Sequence, residues 1–415
     1  MLQVWSVFPH ADKTGEKRGR YLPMKLLAQK GLAQTAILTN ETEDNQNLDS
    51  YWDGLVPVIK TRRGRFSWSA KARLSLKLLD PNLPADVIFL RPWMYWTRSI
   101  LLSRILYRRP YIVWLDTYHY PAQNSLRDYL YHEARYGWLL RNADLIIGET
   151  PQVTASVQKR LPKKRVIHLP MGLDMEPLKA MQAKWKSNGV SDQREQTVLF
   201  IGRISPEKRP HLLVELFSEL ADEFPDWRLK LVGPVMSQNG SPDPVYEQKF
   251  LQSLSDSHVR ERIEWSPGLY GEDLYREYAS ASIYALPTDR EGVPTTVIEA
   301  MYFGNAILST PVGVIDWQLD HGRAGIIVGV HDREGMKNEL RRLMATPELR
   351  EQLSQSANRR VVEEFDWEMH IGTLYNEIRR LVPREKTVTA VGAAPAGNVP
   401  EKQNNVAKPI DRLLH

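Results

Sequence analysis

Short apolar runs rich in β-branched residues recur along this chain, and stretches of helical spacing stand between many of them. In the first half such runs fall at Gln3–Phe8, Thr35–Thr39, Val87–Leu90, Tyr111–Leu115, Leu145–Ile147 and Val166–Leu169. Helical patterns occupy Tyr21–Lys30, closed by Gly31, and Leu126–Leu140. A strand reaches a parallel neighbour only through a long crossover, so this rhythm predicts βαβ units and a doubly wound parallel sheet.

The rhythm then restarts. Strands are expected at Val198–Ile201, Arg228–Val232, Arg262–Trp265, Ser282–Leu286, Ala306–Ser309 and Gly325–Val328. Helices are expected at Pro210–Glu223, Glu272–Ala281 and Thr295–Phe303, and the turn-rich stretch Asn188–Gln196 reads as an interdomain linker. A length of 415 residues exceeds what one hydrophobic core fills,. The fold class is therefore α/β, with two Rossmann-like domains facing a cleft and ligands expected at the carboxyl ends of the strands. From Arg384 onward Ala, Gly, Pro, Asn and Lys dominate, and residues 384–415 are read as a disordered tail,.

Composition narrows the chemistry. The chain has no cysteine, which excludes disulfides and thiolate metal sites and suits a cytoplasmic location,. The opening MLQVWSVFPHADKTG reads as a strand running into a polar loop rather than a signal peptide,. No apolar run approaches the ~20 residues that span a bilayer. Eleven Lys and Arg residues lie between Thr61 and Pro110, interleaved with Phe66, Trp68, Trp93, Tyr95, Trp96 and Tyr107. That mixture fits peripheral contact with an anionic membrane or a polyanion, or equally a solvated face over core aromatics.

Two segments carry the chemistry. In Asp289-Arg-Glu-Gly-Val-Pro-Thr-Thr-Val-Ile-Glu299, a loop holding Glu291 and Gly292 leads from a strand into a helix. Pro294 suits the first helical position, and the free N–H groups of Thr295 and Thr296 make a natural diphosphate site. Glu291 at the mouth and Glu299 a turn into the helix can each accept hydrogen bonds from adjacent hydroxyls, as sugars and riboses offer. In Gly202-Arg-Ile-Ser-Pro-Glu-Lys208, Arg203 and Lys208 stand at another strand end, where two cations can neutralise a departing diphosphate,. Taken singly, each segment also reads as a charged surface loop; that reading loses weight because both occur in one domain, at matching strand ends.

The glutamate pair separated by seven residues, the surrounding EGVPTTVIEAMYFGNAIL and the segment GRISPEK resemble the family 4, or group 1, glycosyltransferases. His168–Asp174 resembles the family's linker-proximal PNGVD, with Met171 in place of the usual Asn. The resemblance implies the GT-B fold and retaining transfer of a sugar from a nucleotide-diphosphate donor to a hydroxyl. The acceptor would be a glycan, a lipid-linked molecule or a small metabolite, with no nucleic acid as partner. It implies an acceptor-side domain at 1–180, a donor domain at 181–365, and a helix at 366–383 returning to the first domain. Arg203 and Lys208 would bind the diphosphate, Glu299 the ribose and Glu291 the transferred sugar, assisted by backbone at Gly292, Val293, Pro294 and Thr295. Leu269 would hold the base through main-chain contacts. Gly15 and Gly19 lie where the family has a donor-facing loop, although the usual adjacent Gly pair is missing. Asp116 and His119 follow a central strand, where the family carries an acceptor-side Asp or His. No metal or other cofactor is expected.

Other classes fit less well. No Asp-x-Asp pair, Walker loop or G-x-G-x-x-G occurs, and Tyr136 replaces the second His of a zincin motif begun at His132-Glu133,. A GT-B sugar-nucleotide epimerase and a non-catalytic nucleotide-sugar sensor or scaffold are the alternatives.

Overall fold

The computed structural model describes residues 1–7, 21–40, 47–61, 74–90, 97–115, 137–189, 194–236 and 243–382. They build two sheets. The first contains β1 (Gln3–Val7), β2 (Gln34–Asn40), β3 (Ser50–Tyr51), β4 (Val56–Thr61), β5 (Val87–Leu90), β6 (Tyr111–Leu115), β7 (Leu145–Gly148) and β8 (Val166–His168). Their order is β3-β4-β2-β1-β5-β6-β7-β8, and every pairing except β3 with β4 is parallel. The second contains β9 (Glu195–Ile201), β10 (Arg228–Val232), β11 (Ile263–Ser266), β12 (Ala281–Leu286), β13 (Ala306–Ser309) and β14 (Ile326–Ile327). Its order is β11-β10-β9-β12-β13-β14, all parallel. Counted from its own first strand, that order is 3-2-1-4-5-6, the doubly wound arrangement that reverses direction between strands 1 and 4.

The strands at the centre of each sheet are apolar because both faces are covered. All six residues of β12 and all five of β6 are buried, as parallel strands between helical layers require,. The helix Pro210–Leu220 shows the covering layer. Proline opens it without losing a backbone bond, and Leu212, Leu213, Leu216, Phe217 and Leu220 form its buried stripe,. β3 and β4 are absent from the sequence expectations. Pro57 and Lys60 interrupt the apolar run of β4, in which buried Val56 and Val58 alternate with half-buried Pro57 and Ile59, as in a strand near a sheet edge,.

Two hydrophobic cores result, and their membership shows where the chain crosses. Leu173, Met175, Leu178 and Trp185 pack in the second core, and the helix Met175–Ser187 leads into β9. The crossing therefore precedes Leu173, and the described elements on both sides of the expected linker, the helix Met175–Ser187 and β9, belong to the second unit. The turn-forming composition of Asn188–Gln196 resembles a linker, but Trp185, packed against Phe303 at 6.3 Å between ring centroids, anchors the helix before it. The chain crosses back beside the same point. Leu173 N–H donates to the Phe365 carbonyl at 2.9 Å, and Trp367 N–H donates to that of Leu173 at 3.1 Å. Gly172 permits the approach, since a Cβ there would lie 2.1 Å from the Phe365 oxygen.

Beyond this crossing the helix Trp367–Leu381 packs on the first core. Trp367, Ile371, Leu374 and Ile378 supply a buried stripe, and Trp367 stacks on Trp114 at 5.6 Å,. Glu377 accepts both arms of Arg165 at 3.1 and 2.6 Å, and Lys30 pairs with Glu368 at 2.6 Å.

Candidate functional site

In a doubly wound sheet, the loops leaving the two central strands part in opposite directions and open a crevice between them. Here those strands are β9 and β12, and their exits are the segments carrying Arg203–Lys208 and Glu291–Thr295. Gly233 lets the first exit run close to that of β10. It adopts φ +145°, and a Cβ would lie 1.8 Å from the Gly202 oxygen, so only glycine fits,. The chain then makes a tight turn over Pro206–Lys208, followed by Arg209 at φ 52° and the helix Pro210–Leu220.

The two exits are laced together by backbone. The Glu207 carbonyl accepts from Asp289 N–H at 2.8 Å and from Thr288 Oγ1 at 3.1 Å. Thr310 Oγ1 donates to the Thr288 carbonyl at 2.5 Å, and Arg209 pairs with Asp289 at 3.3 Å. A third segment clamps the second exit from behind. Val314 N–H donates to the Gly292 carbonyl at 3.2 Å, and the buried Gln318 amide donates to that of Pro294 at 3.2 Å. Gly313, at φ 61°, leaves room for the carbonyls of Glu291 and Gly292, which a Cβ would meet at 2.7 and 2.5 Å.

The helix behind this loop runs Thr295–Tyr302, and Pro294 is its cap, not its first helical residue as the sequence suggests. The backbone of Pro294 is extended, with ψ 109°, and no side chain caps the helix. Its first-turn N–H groups, including those of Thr295 and Thr296, have no partner inside the helix, which leaves the positive end of the dipole toward Gly292. Gly292 is exposed, Glu291, Val293 and Thr295 are half-buried, and Pro294 is buried.

Two ion pairs and one buried carboxyl group define the electrostatics. Lys208 Nζ and the Glu291 carboxylate form an ion pair across the two exits, with both side chains nearly buried. The guanidinium of Arg203 lies 3.3 Å from the Glu207 carboxylate and is about one-third exposed. Glu299 is buried and accepts a hydrogen bond from the Tyr278 hydroxyl at 2.8 Å. Burial raises its pKa from 4.5 to about 7, because little solvent remains to support a charge, and the Tyr278 bond opposes that rise,. Glu299 is thus a buried acid beside a tyrosine, not a solvated helical glutamate. Burial also pushes the Tyr278 and Tyr284 hydroxyls up, so both stay neutral donors. Tyr284 hydrogen-bonds Thr296 Oγ1 at 2.9 Å and donates to the Ile201 carbonyl at 3.2 Å, joining β9, β12 and the helix start.

The structure brings Lys208 and Glu291 into contact and sets Arg203 on the same loop as Lys208. Leu269 lies half-buried against the second core, just past the end of β11. Gly15, Gly19, Asp116 and His119 lie outside the described residues. Tyr278, Tyr284, Thr288 and Gly313 shape the site yet carry no sequence signal of their own. Each acts through a partner distant in the chain, and a tyrosine or threonine in an apolar pattern reads simply as core. No group of three or more His, Cys, Asp or Glu side chains that could hold a metal occurs among the described residues.

Comparison with known proteins gives this geometry a class. Residues 181–360 match the family described as glycosyl transferases group 1. Among curated relatives, the D-inositol 3-phosphate glycosyltransferase of Streptomyces bingchenggensis (strain BCW-1) is 32% identical over 173 residues, 41% of this chain and 37% of that protein. The protein of the same name from Streptomyces scabiei (strain 87.22) is 28% identical over 238 residues, 55% of this chain and 52% of that protein. The alignments therefore span about half, or less, of these relatives' length. Likeness to solved structures extends further. Sucrose-phosphate synthase from Thermosynechococcus elongatus superposes with a TM-score of 0.71 at 18% identity, covering 92% of this chain and all of that one. Anabaena HepE, solved with UDP and glucose, gives a TM-score of 0.66 at 15% identity, covering 94% of this chain and all of that one. The fold is GT-B.

Proposed function

We propose that this protein transfers a sugar, with retention of anomeric configuration, from a nucleotide-diphosphate sugar to a hydroxyl acceptor in glycan, polysaccharide or glycolipid synthesis. The observation that carries this reading is the contact of Lys208 with Glu291 at the switch point between β9 and β12, with Arg203 on the same loop as Lys208 and an uncapped helix start just beyond Glu291. A diphosphate binds where fixed cations and unpaired N–H groups converge, and these groups hold it more tightly as the sugar–phosphate bond breaks and charge builds on the phosphate. Arg203 and Lys208 do that work, with backbone N–H groups from Gly292 to Thr295 assisting. Glu299 takes the ribose hydroxyls, Glu291 faces the transferred sugar, and Leu269 holds the base through its main chain. The departing phosphate accepts the acceptor's proton on the leaving-group face, so neither a metal nor a protein nucleophile is needed. Asp116 or His119 orients the acceptor.

UDP-sugars head the donor panel, because HepE was solved with UDP and with UDP-glucose. The test is incubation with UDP-, GDP- and ADP-sugars and hydroxyl acceptors, with the product anomer read by NMR. An α-linked product from an α-donor supports the reading. A β-linked product overturns retention. Interconverted donor sugar without transfer identifies an epimerase, and binding without any turnover identifies a sensor.

A further inference from the structure

The helix Thr97–Tyr107 carries apolar residues on its exposed side as well as on its buried one. Ile100 and Ser103 are buried, whereas Leu102, Ile105 and Leu106 are 43%, 63% and 57% exposed. Residues three and four apart share one face of a helix, so these three form a single apolar stripe in water. Surface helices ordinarily turn such a stripe inward. The buried guanidinium of Arg109 fixes the end of this helix. It donates to Ser103 Oγ at 3.3 Å and to the carbonyls of Pro81 and Leu83 at 2.9 and 3.0 Å. It thereby ties the helix to the segment carrying Leu76, which is 66% exposed. Arg104, on the same helix, makes a bidentate contact with Asp144 at 2.9 and 2.6 Å.

Charge is segregated over the same stretch. Residues 61–110 hold eleven Lys and Arg against Asp80 and Asp86, a local charge of +9 in a chain whose total is +5. The remainder is therefore at −4. Both acids are engaged, Asp80 with Lys77 at 3.3 Å and Asp86 with the Gln3 amide at 2.9 Å. A soluble polyanion would answer the cations and leave the leucines in water. An anionic bilayer answers both, with phosphates for the cations of the stretch other than Lys77, Arg104 and Arg109, which are engaged within the protein, and acyl chains for the stripe,. No helix among the described residues is long and apolar enough to cross a membrane, so the contact is one of lying on the surface.

We propose that the face of the Thr97–Tyr107 helix bearing Leu102, Ile105 and Leu106 docks on a bilayer containing anionic lipid. This holds independently of the transferase reading. The test is flotation of the full chain with phosphatidylcholine vesicles made with and without phosphatidylglycerol. The chain should float with the mixed vesicles, not with phosphatidylcholine alone, and added salt should weaken binding. Ile105→Gln with Leu106→Gln preserves charge and should cut the bound-to-free ratio at least about tenfold while the thermal midpoint stays that of the wild type. Should that pair misfold, Leu102→Gln carries the same expectation to a smaller degree. Failure of the wild type to float with phosphatidylglycerol, or equal flotation of folded Gln variants, overturns the proposal. So does a lipid-free oligomer of the wild type that the Gln pair dissolves, which would make the stripe a protein interface.

Discussion

The ammonium of Lys208 and the carboxylate of Glu291 neutralise each other across the switch point, joining the exit of β9 to that of β12. Their side chains are 12% and 9% exposed, so each depends on the other for solvation it has lost. Removing one partner strands the other's charge, which is costlier than removing both. Lys208→Met should lower the unfolding free energy by about 3 kcal/mol, and Lys208→Met with Glu291→Gln should lose clearly less. Urea denaturation of the two variants checks this. Equal losses would mean the pair contributes no coupling.

Arg203 and Lys208 are proposed to grip the diphosphate most strongly as it leaves. Arg203→Ala and Lys208→Ala should each lower kcat by at least ~100-fold, comparable to removing one oxyanion donor. Steady-state rates with a saturating donor decide it. Normal turnover in both variants would remove the cations from the mechanism.

Much of this was readable in the chain because parallel strands buried on both faces leave continuous apolar runs. β5, β6 and β13 begin and end where their runs do. The Glu291 and Glu299 segment was readable for a related reason, since a strand, a glycine loop and a helix follow one another within a few residues. What the sequence leaves unmarked depends on contacts distant along the chain. Lys208 meets Glu291 across 83 positions, and Tyr278 reaches Glu299 across 21. Nothing local marks either pairing. The buried state of Glu299 was likewise hidden, because a glutamate in a helix looks the same in sequence whether it faces water or core.

That burial has a pH signature. Glu299 ionises near 4.5 when unfolded and near 7 when folded, so between those values the native state holds the extra proton. The contribution of Glu299 to stability therefore falls as pH rises through this window and stays reduced above it, by on the order of 3 kcal/mol, whereas burial of His168 and His211, which lowers their pKa values, acts in the opposite direction,. Glu299→Gln keeps an acceptor for Tyr278 and removes the charge. The variant should be more stable than the wild type at pH 8, and its advantage should grow from pH 5 to pH 7 as the wild type loses the contribution of Glu299,. Chemical denaturation across that range tests both. A wild-type profile that rises with pH in the window, and is unchanged by the substitution, would contradict the neutral Glu299.

The positive field at the proposed site comes from side chains and a helix end. Transfer should accordingly survive EDTA with less than about a twofold change in rate, since no metal supplies the charge that would otherwise be lost. Complete loss restored by Mg²⁺ or Mn²⁺ would require a different site.

The two glutamates should fail differently. Glu299 is proposed to hold the ribose, which does not react, so its hydrogen bonds count equally in ground and transition states. Glu299→Gln should raise donor KM and leave kcat within a few-fold. Ribose hydroxyls favour the ionised carboxylate, so nucleotide diphosphate should bind the wild type more tightly as pH rises through about 7, releasing a proton, and bind the variant without that dependence,. Glu291 lies at the loop mouth beside the proposed sugar, where positive charge grows on the ring carbon during transfer. A carboxylate there stabilises the transition state more than the bound donor, so Glu291→Gln should lower kcat, by roughly 100-fold. The bare nucleotide diphosphate should bind this variant at least as well as the wild type, because Lys208 is released from its ion pair. Titration calorimetry of both variants with the nucleotide diphosphate ranks them. Weak binding by Glu291→Gln and unchanged binding by Glu299→Gln would reverse the donor's orientation in the site.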